Sequence, residues 1–140
     1  MAVAEKNILD RPGKYNLSEL NIISYQQVDN QPRFIDIKGI TLTLSITEDI
    51  FSNNIMGSII VYDTQDIRTM LPLTGLERLS FKLNTPGLPG YDMSEDTGVP
   101  FQIYKVDSVR KDEQSDVGQF YKIYFCSPEM YYNQLASVSR

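Results

Sequence analysis

A chain of 140 residues is long enough for one domain with one core, and at 41% hydrophobic and 22% charged residues it has the balance of a globular protein. A net charge of −5 with no basic cluster argues against a reader of DNA or RNA, and the absence of histidine removes the commonest general base and the most frequent transition-metal ligand. The single cysteine, Cys126, excludes an internal disulfide and a cysteine-based zinc site; at the end of an apolar run it reads as a small buried residue, with a reactive thiol as the alternative.

Residues 1–14 mix charges around Pro12 and Gly13 and predict an arm, mobile or ordered by a partner. They lack the apolar core of a secretory signal, and no later run approaches the ~20 apolar residues of a membrane-spanning helix. The chain is therefore expected in the cytoplasm until it assembles, without stable membrane insertion. Asn16 to Tyr25 predicts a first strand carrying Leu17, Leu20, Ile22 and Ile23, and Val28 to Pro32 a polar turn.

Phe34 to Ile50 then reads as one long strand. Within it Ile40, Leu42, Leu44 and Ile46 alternate with Thr41, Thr43, Ser45 and Thr47, so one face is apolar and expected to be buried. The polar segment Glu48 to Asn54 is the natural tip of a hairpin, and Ile55 to Tyr62 its returning strand. Gly57 inside that strand predicts a bulge or a close backbone approach. Asp63 is placed to cap a short helix from Thr64 to about Met70, with Asp66 in its first turn and Pro72 as its stop.

Leu76 to Asn84 predicts a further strand with Leu79, Phe81 and Leu83 on one face. Thr85 to Pro100, dense in glycine, proline and acids, predicts no regular element; its length makes it either a contact element or a disordered loop. Phe101 to Val109 and Gln119 to Phe125 form a second hairpin around a solvated turn. Ser127 caps a last helix with Pro128 at its first position, along which Tyr131, Leu135 and Val138 make an apolar stripe. The chain stops at Arg140 without a helix stop signal, which suggests an amino-terminal piece of a longer protein. Six or so strands with local connections imply a mainly β, antiparallel fold with two short helices, closed or nearly closed into a barrel.

The catalytic options are few. Without histidine the usual Ser-His and Cys-His pairs are absent. Glu48 and Asp49 are neighbours on a strand end and point to opposite faces, so they do not flank one glycosidic bond, and Asp63 and Asp66 serve helix capping. Asp92, Glu95 and Asp96 offer carboxylates to calcium but lack the alternating ligands of a calcium loop; a solvated loop is the simpler reading. No glycine pattern supports a nucleotide site. The expectation is a non-enzyme without cofactor or metal. Its functional signal is apolar surface in loops and helix ends: Leu71, Leu73, Leu88, Tyr91, Met93, Met130, Tyr131 and Tyr132. Leu88, Tyr91, Met93, Met130, Tyr131, Leu135 and Val138 are the candidates for subunit contact.

The order of these segments carries a resemblance. Arg11-Pro12-Gly13 with Asn16-Leu17-Ser18, then FxDI, LxLxITEDIFSNN, GxIxVYDxxxI and LPLxGxExLxF, and finally Phe125-Cys126-Ser127-Pro128-Glu129 with Asn133 and Ser137-Val138-Ser139-Arg140, resemble the amino-terminal region of baseplate hub proteins of T-even-type contractile-tailed bacteriophages. The resemblance spans nearly the whole chain. It implies a tube-protein-like β-barrel over 15–126, preceded by the arm at 1–14 and followed by a helix at 127–140 that starts the next domain or bridges subunits. It also implies a structural virion protein of the tail baseplate: a homotrimer forming a pseudo-sixfold ring that joins the tail tube, or a tube-initiator protein, to the central spike, with DNA only as transiting cargo. A tube initiator or cap protein on the same barrel and a carbohydrate-binding β module are the alternatives.

Overall fold

The computed structural model describes residues 12–71, 73–94, 99–114 and 116–136, and at 27, 28, 31, 32, 108 and 109 the backbone alone. Residues 1–11 of the expected 1–14 arm, the Pro72 stop, Glu95 and Asp96, and Val138 of the helix stripe lie outside these residues. The chain is mainly β, with two short helices. Strands β1 (Asn16–Val28), β2 (Gln31–Asp36), β3 (Thr41–Glu48), β4 (Ile55–Asp63), β5 (Arg78–Asn84), β6 (Tyr91–Met93), β7 (Phe101–Lys111) and β8 (Gln119–Cys126) are joined by helices α1 (Ile67–Met70) and α2 (Pro128–Leu135). All eight strands belong to one antiparallel sheet in the order β2-β1-β5-β7-β8-β4-β3, with β6 paired to β5 beside that path. The sheet is not closed into the expected barrel: β2 and β3 end the path and do not pair with each other.

Local chemistry explains most of the strand ends. Asp29 and Asn30 both have positive φ, 53° and 60°, which is the two-residue turn that matches strand twist and is best tolerated by Asp and Asn. Val28 therefore pairs with Gln31 across a tight hairpin. The long strand expected from Phe34 to Ile50 is interrupted. Residues Lys38–Ile40 form a single 3-10 turn, held by the Ile37 carbonyl, which accepts both the Ile40 amide and the Thr41 hydroxyl. Ile37 itself is fully buried, and its amide donates to the Leu20 carbonyl. The turn carries the chain from one margin of the sheet, β2, to the other, β3, which an unbroken strand would not do.

Gly57 makes a close approach. A Cβ there would strike the Ser45 carbonyl of β3 and the Phe125 ring of β8, the residues packed on either side of it. The β3–β4 ladder has its irregularity elsewhere, between Thr41 and Thr43.

Asp63 caps as expected, accepting the Gln65 amide at 2.9 Å and the Ile67 amide at 2.8 Å. The helix it serves is shorter than expected, Ile67–Met70, because Asp66 adopts a left-handed conformation at φ 55° just before it. Ser127 precedes α2 with Pro128 at the first position, but its hydroxyl makes no capping bond. It instead accepts the Ile55 amide at 3.4 Å, while its own amide donates to the Ile55 carbonyl at 2.8 Å, so Ser127 ties the end of β8 to the start of β4.

The core lies on the concave side of the sheet. Leu20, Ile22, Ile59, Val61, Leu79, Phe81, Phe101, Ile103, Ile123 and Phe125 are buried there with Ile67 and Leu71 from the α1 region. Phe101 is central among the rings, 5.2 Å from both Phe81 and Phe125. Cys126 is buried beside this core, and burial pushes its thiol pKa up, as a packed apolar residue requires. Among the described residues no helix is long and apolar enough to cross a membrane.

Candidate interaction surface

The concave face runs out at β3. Strand β4 buries Ile59 and Val61 completely, whereas on β3 Leu44 and Ile46 are half-buried and Leu42 is 59% exposed. The pattern that predicts a buried face is present, but among the described residues no strand lies beyond β3 to cover it. Instead the strand borders an open groove of about 840 Å³. Its near wall is β3 itself, from Thr41 to Glu48, and its far wall is Leu17 of β1, Leu83 of β5 and Tyr91 of β6, with Tyr15 and Lys38 beside them. The groove therefore lies between β3 and the strands β1, β5 and β6 across from it.

The Tyr91 hydroxyl faces the Glu48 carboxylate across the groove, and the influence of that carboxylate, ahead of burial, holds the Tyr91 pKa above its ordinary value. Below it the Tyr91 ring packs at 6.4 Å from Phe81. Strand β6 is thus a regular element in a stretch whose composition predicts none: Tyr91 pairs with Leu83 and Met93 with Phe81. The sequence signal was available in Tyr-x-Met, two large residues at strand spacing between turn residues.

The β3–β4 turn carries a second feature. Ile50 and Phe51 at its tip are 93% and 92% exposed. The turn is nonetheless pinned: the Asp49 carboxylate accepts the Phe51 amide at 2.9 Å, the Asp49 carbonyl accepts the Ser52 amide at 3.0 Å, and Ser52 Oγ accepts the Asn54 amide. Two large apolar side chains are held in water by a built turn. Neither was among the residues expected at a subunit contact, although two adjacent large apolar residues inside a polar turn are visible in the sequence.

The expected contact residues divide between these surfaces and the core. Leu71 is buried, and Tyr91 and Met93 are half-buried against the core rather than displayed on a loop. Leu88 is 58% exposed in the β5–β6 connection. On α2, Met130 and Tyr131 are half-buried, Leu135 and Tyr132 are exposed, and no residue is fully buried, so the helix lies on the surface by its first turns. These residues are not brought together: Tyr91 lines the groove, while α2 follows β8 near β7.

The buried acids are committed to structure. Asp63, fully buried, accepts the Tyr121 hydroxyl at 3.1 Å besides its two amides. Glu77, also fully buried and not singled out from sequence, accepts the Thr74 and Gly75 amides at 2.9 Å each and the Thr74 hydroxyl at 3.0 Å. It holds the turn where Gly75 takes φ 92°. Asp92 closes a local turn by accepting the Ser94 hydroxyl at 2.6 Å and amide at 3.3 Å. Among the described residues no three acids, cysteines or histidines converge as metal ligands would.

Comparisons with models of known protein families, with curated proteins and with solved structures found no match to this chain.

Proposed function

We propose that this chain is a structural subunit of a contractile-tail baseplate, a hub protein whose ring joins the tail tube to the central spike. The observation that carries the reading is the unclosed sheet: a well-packed antiparallel domain that ends in a strand, β3, whose outer edge is unpaired beside an apolar groove. Open edges invite pairing and are usually covered, so an edge retained with an apolar groove beside it suits a subunit that completes itself against neighbours. The order of sequence motifs supports the same reading, and a net charge of −5 suits a conduit along which DNA passes without being held. The buried acids Asp63 and Glu77, each satisfied by backbone donors, take the part of folding rather than of acid–base chemistry.

The carbohydrate-binding alternative needs exposed rings for stacking. The best pair, Tyr104 and Tyr124 on β7 and β8, has centroids 6.2 Å apart, but Lys105 and Lys122 already sit 5.4 and 4.9 Å from the Tyr124 ring. The test is negative-stain electron microscopy of the chain alone and mixed with a candidate spike or tube protein. Rings with an open centre, or a ring seated on a spike, are the expected images. Monomers that bind neither partner, together with retention on a polysaccharide gel, would replace the hub by the binding module.

A further inference from the structure

We infer that copies of this chain associate head to tail, the Ile50–Phe51 tip of one copy seating in the β3 groove of the next. The inference deepens the ring reading above and rests on it only for closure of the ring. Both halves of the contact are present on one chain. The tip presents two large apolar side chains, each more than nine-tenths exposed, on a turn fixed by the Asp49 carboxylate. Leaving such side chains in water forgoes the gain of burying them, so a turn built to display them is built for a contact. The groove is walled by Leu17, Leu42, Leu44, Ile46, Leu83 and Tyr91, and its volume of about 840 Å³ falls in the ~300–1,000 Å³ range of clefts that enclose compact ligands. Two large side chains and the turn behind them are a ligand of that size.

Charge fixes the direction. Lys38 is the cation among the groove-lining residues, and it stands before the first residue of β3. Glu48 and Asp49 stand at the other end, next to the tip. The eight residues of β3 separate the two ends by roughly 26 Å at about 3.3 Å per residue. An acidic tip entering at the Lys38 end of a second copy pairs opposite charges and leaves that copy's own tip free at its far end. A patch that meets a different patch is a heterologous contact, which repeats and closes into a ring when the rotation per copy allows. A membrane is the poorer host for this tip, because two acids, Glu48 and Asp49, directly precede its apolar pair.

The test uses the 140-residue chain and two variants, the double substitution Ile50→Ser with Phe51→Ser, and Leu42→Asp. All three positions are exposed, so folding is preserved and checked by circular dichroism; Leu42→Ser replaces Leu42→Asp if the charge disturbs the strand. Analytical ultracentrifugation of the unaltered chain is expected to show concentration-dependent oligomers, and each variant alone to be monomeric. Mixed, the variants are expected to form a 1:1 dimer and nothing larger, because the tip variant keeps an intact groove and the groove variant an intact tip. An unaltered chain that stays monomeric, a tip variant that oligomerises like the unaltered chain, or a mixture that does not pair would each overturn the contact. Spike or tube binding, read separately by microscopy, decides the hub reading independently of this result.

Discussion

Strands β3 and β4 are paired from Thr41 opposite Val61 to Glu48 opposite Ile55, with one irregularity at Leu42, yet they live in different environments. On β4 the inward residues Ile59, Val61 and Asp63 have no exposure at all; on β3 the corresponding apolar side chains are half-buried or open to water. The difference lies in the next strand. β4 has β8 on its other side along its whole length, from Met56 opposite Cys126 to Asp63 opposite Gln119, whereas β3 has a groove. Period-two alternation thus reports which residues share a face, and only topology decides whether that face is covered.

The sharpest way to break this comparison is to truncate one residue on each strand. Ile59→Ala removes a fully buried side chain from the centre of the core and is expected to cost about 3–4 kcal/mol in urea denaturation. Leu42→Ala, on the neighbouring strand, is expected to cost under about 0.5 kcal/mol because the side chain is mostly in water. Equal losses would mean that the groove is collapsed in solution and Leu42 is packed.

Glycines test the same boundary by addition. Gly57→Ala places a methyl group against the Phe125 ring and the Ser45 carbonyl, with a ladder on each side and no room to yield, and is expected to cost about 2 kcal/mol. Gly39→Ala, in the 3-10 turn before β3, meets nothing within 4 Å and is expected to be neutral or to stabilise by about 0.5 kcal/mol through the unfolded chain. Melting curves of the two variants make the check, and a Gly57→Ala variant as stable as the parent would show that β3 can shift away from β8.

How much of this was legible beforehand follows from which interactions are local. The strand content, the turn before Pro32, the Asp63 cap and the close approach at Gly57 are written in short-range patterns of alternation, turn residues and one glycine. The break at Lys38–Ile40 was not, because Ile37 and Ile40 continue the apolar alternation and only the tertiary bond from the Ile37 amide to Leu20 reveals that the chain leaves the strand there. The Ser127 cap was misjudged for a similar reason: its position was right, but the Ile55 amide, 72 residues away, takes the hydroxyl. Closure of the barrel depends on whether β2 meets β3, a contact between sheet margins that no local pattern encodes. The groove depends on tertiary placement of β3 opposite β1, β5 and β6, so the candidate surface was the least legible part, apart from Tyr91 itself.

A pH titration probes the closed side. Burial, followed by the Asp63 charge and the hydrogen bond to Asp63, raises the Tyr121 pKa far above its ordinary value of 10. Between that value and its folded pKa the folded state holds a proton that the unfolded state has lost, so the Tyr121 contribution to stability is complete below pH 10 and declines as pH rises beyond it. Tyr121→Phe is expected to flatten the stability profile above pH 10 while leaving its shape at pH 6–8 unchanged. The same slope in both proteins would assign the alkaline loss to other tyrosines.

The smallest effect is expected on the open side, from Tyr91→Phe. The substitution deletes one hydroxyl and keeps the ring on Phe81, so the core is untouched. What is lost is a hydroxyl near an exposed carboxylate, Glu48, where solvent competes for hydrogen bonds; global stability should fall by no more than about 0.5–1 kcal/mol. The local consequence is larger than the global one. β6 is three residues long and rests on β5 through the pairs Leu83 with Tyr91 and Phe81 with Met93, so the approach of Tyr91 to Glu48 of β3 adds to what holds it. Amide hydrogen exchange in residues 91–93 is therefore expected to quicken in Tyr91→Phe while exchange in β4 and β8 stays as it was, because local opening costs less than global unfolding. Unchanged exchange in β6 would mean that β5 alone fixes the far wall of the groove, and that its separation from β3 is held by the core beneath rather than by Tyr91 and Glu48.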